Sequence, residues 1–195
     1  MNIGIDIDET ISNTHEILFS YAQKYTVEDL GRSIKEPKEK VMTGNGYCQA
    51  FHEWTIDQAN NFWDKYYEIV LKEVTVRKFA KETIQKLRSQ GHKIYLVTAR
   101  FPRPCFDIRQ VTEQWLNING IEYDFIIYDA HDKVDAVKLN KIEVFIDDAI
   151  INCKHVSEAG VKTYMIDSIE NQGCNLPNVT RIYSWVHAEQ EINKL

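Results

Sequence analysis

The sequence predicts an α/β fold, in which a parallel sheet is covered by helices on both faces and a helical segment is inserted after the first strand. Three observations lead to this prediction. Short apolar runs recur along the chain, helical patterns separate them, and one interval is much longer than a strand-to-strand crossover needs.

The predicted strands are short and rich in β-branched or aromatic residues. They comprise residues 3–7, 94–97, 125–128, 144–146 and 161–166. Each run is too apolar for a strand with one face in water. We therefore expect a parallel sheet that is buried on both sides.

Helical patterns separate the later strands. The apolar positions at helical spacing are Ala80, Ile84 and Leu87 in the first pattern, and Ile108, Val111, Trp115 and Ile118 in the second. Gly91, Gly120 and Gly160 follow three predicted helices and provide the stop signals. In a last helix, Trp185 and Val186 are expected to pack in the core.

The interval from 11 to 78 is about three times as long as a simple crossover needs. It holds two expected capping boxes, at 13–16 and 55–58, and loop signals at Gly31 and 43–46. The apolar residues at helical spacing are Leu18, Tyr21, Ala22 and Tyr25, then Ala59, Phe62, Trp63, Tyr66 and Val70. We expect a core domain of residues 1–13 and 78–195 and a helical insertion of residues 14–77.

Composition narrows the class of protein. The 195 residues are 44% hydrophobic and 27% charged, which is typical of a globular chain, and the net charge of −6 argues against a nucleic-acid polymer as partner. The sequence shows no membrane span and no signal peptide, so we expect a cytoplasmic protein; the oligomeric state stays open. Reduced thiols are expected for the cysteines, Cys48, Cys105, Cys153 and Cys174.

Polar side chains follow the predicted strands at their carboxyl ends, where ligands bind in such sheets. In chain order they are Asp6, Asp8, Glu9 and Thr10; Thr98 and Arg100; Asp129, Asp132 and Lys133; and Asp147 and Asp148. So many carboxylates at one edge call for a cation, and oxygen ligands favour Mg²⁺. A lysine and a threonine beside it are suited to bind a phosphoryl group.

Asp6 and Asp8 are two residues apart, so an extended chain directs both carboxylates to the same side. One of them can attack phosphorus in line while the other delivers a proton to the leaving oxygen. The chemistry that these residues suggest is phosphoryl transfer through an aspartyl phosphate.

These residues also resemble the haloacid dehalogenase superfamily. Asp6-x-Asp8-x-Thr10, Thr98, Lys133 and Asp147-Asp148 match its four motifs in order, over nearly the whole chain. The resemblance implies a three-layer, Rossmann-like parallel sheet with a small helical cap of the first type inserted after the first strand. Its five core strands would lie in the order 161–166, 143–147, 2–7, 93–98 and 124–128.

The resemblance also implies roles for single residues. Asp6 would be the nucleophile and a Mg²⁺ ligand, and Asp8 the general acid and base, with its backbone carbonyl on the metal. Thr98 and Lys133 would bind the phosphoryl group, and the pair Asp147-Asp148 would complete the metal site, directly or through water. Asp8 distinguishes phosphatases from dehalogenases, since only phosphoryl transfer needs the acid.

The chain departs from the family pattern at two places. Glu9 stands where phosphatases of this family often have glycine, so a less flexible and more acidic turn is expected. Ala99 and Arg100 follow the threonine where well-described nucleotidases have Ser-Pro. We group both with the phosphate-binding residues, although Arg100 is equally suited to cap the strand end.

The third motif has more than one candidate lysine. Lys138 and Lys141 also precede the fourth strand. Lys133 is preferred because it opens a helix, from which its side chain can turn back toward the strand ends.

The expected function is a Mg²⁺-dependent phosphomonoester hydrolase acting on nucleoside monophosphates. The helical cap, the double aspartate and the chain length resemble the 5′(3′)-deoxyribonucleotidase group and its bacterial relatives. Two alternatives stay open, a phosphatase of another small metabolite such as a sugar phosphate, and a non-catalytic protein that binds a phosphorylated ligand. A calcium-binding loop at Asp6 is disfavoured, because Ile11 and Ile17 occupy its glycine and glutamate positions.

Aromatic residues of the insertion have two interpretations, a stacking wall for a nucleobase or the core of the insertion itself, which we favour. They include Tyr47, Phe51, Trp54, Phe62, Trp63, Tyr66 and Tyr67. His15, His52 and His131 are assigned no role.

Overall fold

The computed structural model describes residues 1–33 and 53–195. Within these ranges, six strands form one sheet: β1 (Asn2–Ile5), β2 (Lys93–Val97), β3 (Phe125–Ile127), β4 (Val144–Asp147), β5 (Lys162–Ile166) and β6 (Val179–Ile182). The α-helices in the same ranges are α1 (Thr14–Lys24), α2 (Ile56–Glu73), α3 (Ala80–Ser89), α4 (Ile108–Ile118), α5 (Lys133–Leu139), α6 (Ile150–Glu158) and α7 (Trp185–Ile192). A π-helical turn, Tyr25–Asp29, continues α1, and a 3₁₀ helix, Ile169–Asn171, follows β5.

The strands lie in the order β3-β2-β1-β4-β5-β6, and every pair is parallel. This confirms the α/β class and the order of the five predicted strands. The prediction lacked β6, an edge strand without a continuous apolar run, since Thr180 and Arg181 interrupt it. The first strand ends at Ile5, two residues earlier than predicted.

The core lies on both faces of the sheet. Ile5 of β1 and Ile146 of β4 are fully buried, as are Ile84 and Leu87 on the predicted face of α3. Burial of the central strands on both sides explains their almost unbroken apolar sequences.

Ile118, which the helical spacing places on the apolar face of its helix, and Val186, which was expected to pack in the core, are both exposed. Ile118 is 81% exposed because it lies at the margin of the apolar face in the last turn of α4, where Leu116 is fully buried. Val186 is 41% exposed beside the buried Trp185, which donates a hydrogen bond from Nε1 to the carbonyl of Thr10.

The helices between β1 and α3 pack through aromatic side chains. The Tyr25 ring lies 5.0 Å from Trp54 and 5.6 Å from Phe62 between ring centroids. Trp54 also donates from Nε1 to Thr26 Oγ1 at 3.1 Å. These rings therefore fill a core rather than a ligand wall; Tyr47, Cys48, Phe51, His52 and the loop 43–46 lie outside the described residues.

One of the two predicted capping boxes is present. Thr55 and Gln58 exchange hydrogen bonds between side chain and backbone at the start of α2. At the start of α1 the prediction was wrong, because the Asn13 side chain makes no capping bond and instead donates to Thr75 Oγ1. The Glu9 carboxylate, from the turn after β1, accepts the backbone N–H of His15 there.

The segments that lead into α1 and out of α2 run side by side. The backbone N–H of Asn13 donates to the Thr75 carbonyl at 2.8 Å, and the backbone N–H of Arg77 donates to the Ile11 carbonyl at 2.7 Å. The helical segment thus leaves and re-enters the sheet domain directly beyond β1. In the part of the chain that the structure describes, no helix has both the length and the apolarity needed to cross a membrane.

Candidate active site

Three carboxylates meet where β1 and β4 end side by side. Asp6 directly follows β1, Asp147 ends β4, and Asp148 follows it. Each offers one oxygen within 4.8 Å of an oxygen of the other two, and all three residues are buried. Parallel pairing of the two strands brings together side chains that are about 140 residues apart in the sequence.

The electrostatics of these carboxyl groups fit a hard divalent cation. Burial, with repulsion from Asp147 and Asp8, raises the pKa of Asp6 to about 7 against the opposing charge of Lys133. Burial and the charges of its neighbours likewise raise the pKa of Asp148 well above its usual range. Carboxylates that repel one another in a buried site need positive charge, and an all-oxygen donor set suits Mg²⁺.

Two polar side chains bond to the carboxylates at the end of β4. Asn152 donates from Nδ2 to Asp147 Oδ2 at 2.9 Å, and the Ala149 amide donates to Asp147 Oδ1 at 2.8 Å. Thr10 contacts Asp148 Oδ1 at 3.4 Å. Asn152 is not among the residues predicted from the sequence; its place in the first turn of the helix after β4 is the signal that points to it.

Lys133 lies beside the same carboxylates. Its Nζ is 2.7 Å from Asp6 Oδ1 and also donates to the Val97 carbonyl, and the residue is 3% exposed. Burial lowers the pKa of Lys133, but the charges of Asp6 and Asp147 outweigh this and raise it. Lys138, the alternative motif lysine, is exposed at the end of α5.

Asp8, which is not one of the three clustered carboxylates, forms an ion pair with Arg100. The guanidinium donates from Nε to Asp8 Oδ2 and from Nη2 to Asp8 Oδ1, both at 2.9 Å. Its Nη1 donates to Thr112, and the group lies over the Trp115 ring. Thr14 donates a further bond to Asp8 Oδ1 at 2.9 Å. Arg100, expected to reach the phosphate or cap the strand, is thus directed at Asp8.

Burial raises the pKa of Asp8, but the charge and hydrogen bonds of Arg100, the hydrogen bond from Thr14 and the charge of Lys133 together outweigh burial and lower the pKa below its usual value. Asp6 and Asp8 therefore differ in proton affinity although they are two residues apart. Such a difference between neighbouring carboxyl groups is typical of acid–base sites.

Thr98 and Ala99 continue β2 at the edge of the site. The Thr98 amide donates to the Ile127 carbonyl at 2.9 Å, and its Oγ1 accepts the Arg100 amide at 3.2 Å. Thr98 is fully buried, and Ala99 lines the cleft described next.

A cleft of about 240 Å³ lies at the carboxyl ends of the strands. The acidic and basic side chains described above line it, namely Asp6, Asp8, Arg100, Lys133, Asp147 and Asp148, and so do Ala99, Ala149 and Asn152. Its remaining wall is partly aromatic and partly acidic. Phe101 and Tyr67 stack with ring centroids 5.1 Å apart and 19° between their planes, and Glu9, His15 and Glu170 complete the lining. The arrangement combines oxygen ligands, a buried lysine and an apolar surface in one cleft, as a small phosphorylated ligand requires.

The chain is similar to known proteins over nearly its whole length. It is 29% identical over 186 residues to a nucleotidase of Clostridium acetobutylicum, covering 95% of this chain and 90% of that protein. It is 30% identical over 199 residues to YqfW of Bacillus subtilis, covering 99% and 94%.

A solved structure supports the fold. A haloacid dehalogenase-like family hydrolase from Streptococcus pneumoniae superposes with a TM-score of 0.72 at 15% identity, covering 99% of this chain and 96% of its own. The family model described as haloacid dehalogenase-like hydrolase matches residues 3–138, which include Asp6, Asp8, Thr98 and Lys133. The chain belongs to the haloacid dehalogenase-like hydrolases, and it is an enzyme of that family.

Proposed function

We propose that this protein is a Mg²⁺-dependent phosphomonoester hydrolase that works through an aspartyl phosphate and acts on nucleoside monophosphates. One observation carries the proposal. Asp6 Oδ1 lies 2.7 Å from Nζ of the buried Lys133 and beside two further carboxylates, while Asp8 forms an ion pair with Arg100. One cleft thus holds a nucleophile, an acid–base group, a cationic side chain and oxygen ligands for a metal.

In the first step, a carboxylate oxygen of Asp6 attacks phosphorus in line. The new bond joins Asp6 to phosphorus while the bond from phosphorus to the ester oxygen breaks, and Asp8 gives its proton to that oxygen. Lys133 and Thr98 bind the phosphoryl oxygens. Asp6, Asp147, Asp148 and the Asp8 carbonyl would hold Mg²⁺, which offsets the negative charge of the carboxylates and the phosphoryl group.

In the second step, water attacks the phosphorus of the aspartyl phosphate. Asp8 accepts a proton from this water, and the bond between phosphorus and Asp6 breaks to release inorganic phosphate. The ionised form of Asp8, which Arg100 favours, suits this step. A bound substrate dianion favours the protonated form that the first step needs, because a nearby negative charge raises the pKa of a carboxyl group.

Residues 14–77 are proposed to act as the cap that covers this cleft. Tyr67 of α2 contributes one aromatic wall, and Phe101 from the loop after β2 stacks on it. Aromatic faces of this kind suit a nucleobase or a ribose. The Clostridium acetobutylicum relative, a nucleotidase, supports the same substrate class.

The test is phosphate release with Mg²⁺ from a panel of ribo- and deoxyribonucleoside monophosphates and sugar phosphates. We expect hydrolysis of nucleotides to exceed that of sugar phosphates in kcat/KM. A preference for sugar phosphates would contradict the proposed substrate class but not the proposed phosphatase mechanism. Release from none of the substrates would favour a protein that only binds a phosphorylated ligand.

A further inference from the structure

Asp147 and Asp148 are neighbours, but the protein holds their carboxylates in different ways. The Asp147 carboxylate accepts hydrogen bonds from Asn152 Nδ2 at 2.9 Å and from the backbone N–H of Ala149 at 2.8 Å. Among the residues that the structure describes, the Asp148 carboxylate accepts one side-chain bond, from Thr10 Oγ1 at 3.4 Å, which is long for two oxygens. The position of the Asp148 carboxylate therefore depends mainly on how its backbone is held.

The backbone of Asp148 is held by the side chain of Asn171. Asn171 is the last residue of the 3₁₀ helix after β5, and it is fully buried. Its Nδ2 donates to the Asp148 carbonyl at 2.8 Å and to the Ile166 carbonyl, at the end of β5, also at 2.8 Å. One amide group thus connects the residue that follows β4 to the end of the neighbouring strand.

Two donors fix the orientation of the Asn171 amide. Its Oδ1 accepts the backbone N–H of Ser168 at 3.2 Å and Nη1 of Arg181 at 2.7 Å. In the reverse orientation the amide oxygen would face two carbonyl oxygens, and the NH₂ group would face two donors. All four hydrogen bonds are therefore satisfied in one orientation only, the one in which Nδ2 faces Asp148.

Arg181 lies on the edge strand β6, and its guanidinium binds the segment between β5 and β6. Besides Asn171 Oδ1, it donates to the Asn171 carbonyl at 2.6 Å and to the Cys174 carbonyl at 2.6 Å. Its ion pair with Asp167 Oδ1, at 2.6 Å, balances its charge. The Arg181 side chain is 14% exposed, so these bonds are shielded from water. The edge strand thus contributes to the candidate site through Asn171.

We propose that Asn171 is a positioning residue for Asp148, and that Arg181 fixes the orientation of the Asn171 amide. The inference rests on the proposed Mg²⁺ site and adds to it two residues outside the three clustered carboxylates. A buried amide with all its bonds made resists displacement. It therefore keeps the backbone of Asp148 where its carboxylate can share a cation with Asp6 and Asp147.

The test measures the Kd of Mg²⁺ from the increase in Tm on titration, in the absence of substrate. Asn171→Ala removes the bonds to the Asp148 carbonyl without changing charge, and we expect the Kd to rise by about tenfold or more. Tyr164→Phe is the matched control, because it also removes a side-chain bond to a backbone carbonyl, from Tyr164 Oη to Glu191 at 3.2 Å. It should leave the Kd of Mg²⁺ unchanged, even where it lowers the Tm without metal.

Arg181→Met separates positioning from electrostatics by the sign of its effect. Loss of a positive charge would, by charge alone, strengthen the binding of Mg²⁺. Loss of the Asn171 orientation would weaken it, and we expect the Kd to rise by about fivefold. The double variant of Asn171→Ala and Arg181→Met should bind Mg²⁺ about as weakly as Asn171→Ala alone, because Arg181 acts through Asn171.

The outcomes distinguish the inference from the site on which it rests. A Kd that Asn171→Ala leaves unchanged, or Arg181→Met binding Mg²⁺ as tightly as the unaltered protein or more tightly, would overturn the positioning role. If Asn171→Ala does not fold, the sign of the change in Arg181→Met decides. Absence of any effect of Mg²⁺ on the Tm of the unaltered protein would contradict the proposed metal site itself, and the inference with it.

Discussion

Arg100 and Asp8 form a two-point ion pair across 92 residues of sequence, with both hydrogen bonds at 2.9 Å. The Arg100 side chain is fully buried, and the Asp8 side chain is one third exposed toward the cleft. The pair fixes the direction in which Asp8 presents its carboxylate. Arg100 is therefore a positioning residue for the proposed acid–base group.

Replacing Arg100 tests this role through the leaving group. Arg100→Met is expected to slow hydrolysis of an alkyl phosphate by about a hundredfold or more, because the ester oxygen needs a proton from Asp8. p-Nitrophenyl phosphate, whose leaving group departs without a proton, should be affected much less. Arg100→Lys keeps the charge but not the two-point geometry and should recover little. An equal loss on both substrates would indicate a structural role only.

Asp8→Asn is expected to lower turnover by about a hundred- to ten-thousandfold, because both proposed steps lose their proton carrier. With p-nitrophenyl phosphate the first step can still proceed, so a phosphoryl group should accumulate on Asp6. Acid quenching followed by peptide mass spectrometry measures the adduct. A variant with undiminished turnover would exclude Asp8 as the acid and base.

Lys133→Gln and Lys138→Gln form a matched pair on α5. Lys133 contacts Asp6 in a buried position, whereas Lys138 is exposed. The first change should lower kcat/KM by about a hundredfold or more, since a charge that stabilises the phosphoryl group is lost, and the second by less than about twofold. Steady-state kinetics of both variants on one nucleotide measures the two effects. A large loss in Lys138→Gln and a small one in Lys133→Gln would identify Lys138 as the lysine of the third motif.

The pKa of Asp6, raised to about 7, predicts how stability without metal depends on pH. Between the ordinary carboxyl pKa and this value the folded state binds more protons than the unfolded state, so stability falls as pH rises through that interval. Mg²⁺ competes with these protons. The increase in Tm on adding Mg²⁺ should therefore be larger near pH 8 than near pH 5.

Asp147→Asn is the comparison variant for that measurement, because it removes one candidate ligand. It should reduce the Mg²⁺-induced increase in Tm and raise the Mg²⁺ concentration needed for activity. An increase in Tm that is the same at both pH values, or unaffected by this change, would contradict the assignment of the three carboxylates as metal ligands.

Much of the fold follows from local patterns. The central strands are recognisable because burial on both faces demands unbroken apolar runs, and the helix stops at Gly91, Gly120 and Gly160 coincide with positive φ angles. The edge strand β6 has no such apolar run, because it is only half buried and tolerates Thr180 and Arg181. It was therefore not predicted. Ile118 shows the converse, an apolar side chain that the last helical turn leaves in solvent.

The part of the candidate site that lies at the strand ends and in the motifs is predictable from the sequence. Asp6, Lys133 and Asp147 converge because parallel strands end at one edge of the sheet. The direction of Arg100 depends on Asp8, Thr112 and the Trp115 ring, whose arrangement no local spacing encodes. Contacts between residues far apart in the sequence thus determine which polar side chain bonds to which carboxylate.

The most direct test of Asp6 as nucleophile is the rate of Mg²⁺-dependent phosphate release from a nucleoside monophosphate by the unaltered protein, Asp6→Asn and Asp129→Asn. Asp129 is an exposed aspartate beyond β3 and serves as the control. We predict release by the unaltered protein and by Asp129→Asn at similar rates, and none by Asp6→Asn. Release by Asp6→Asn at the rate of the unaltered protein would contradict Asp6 as nucleophile.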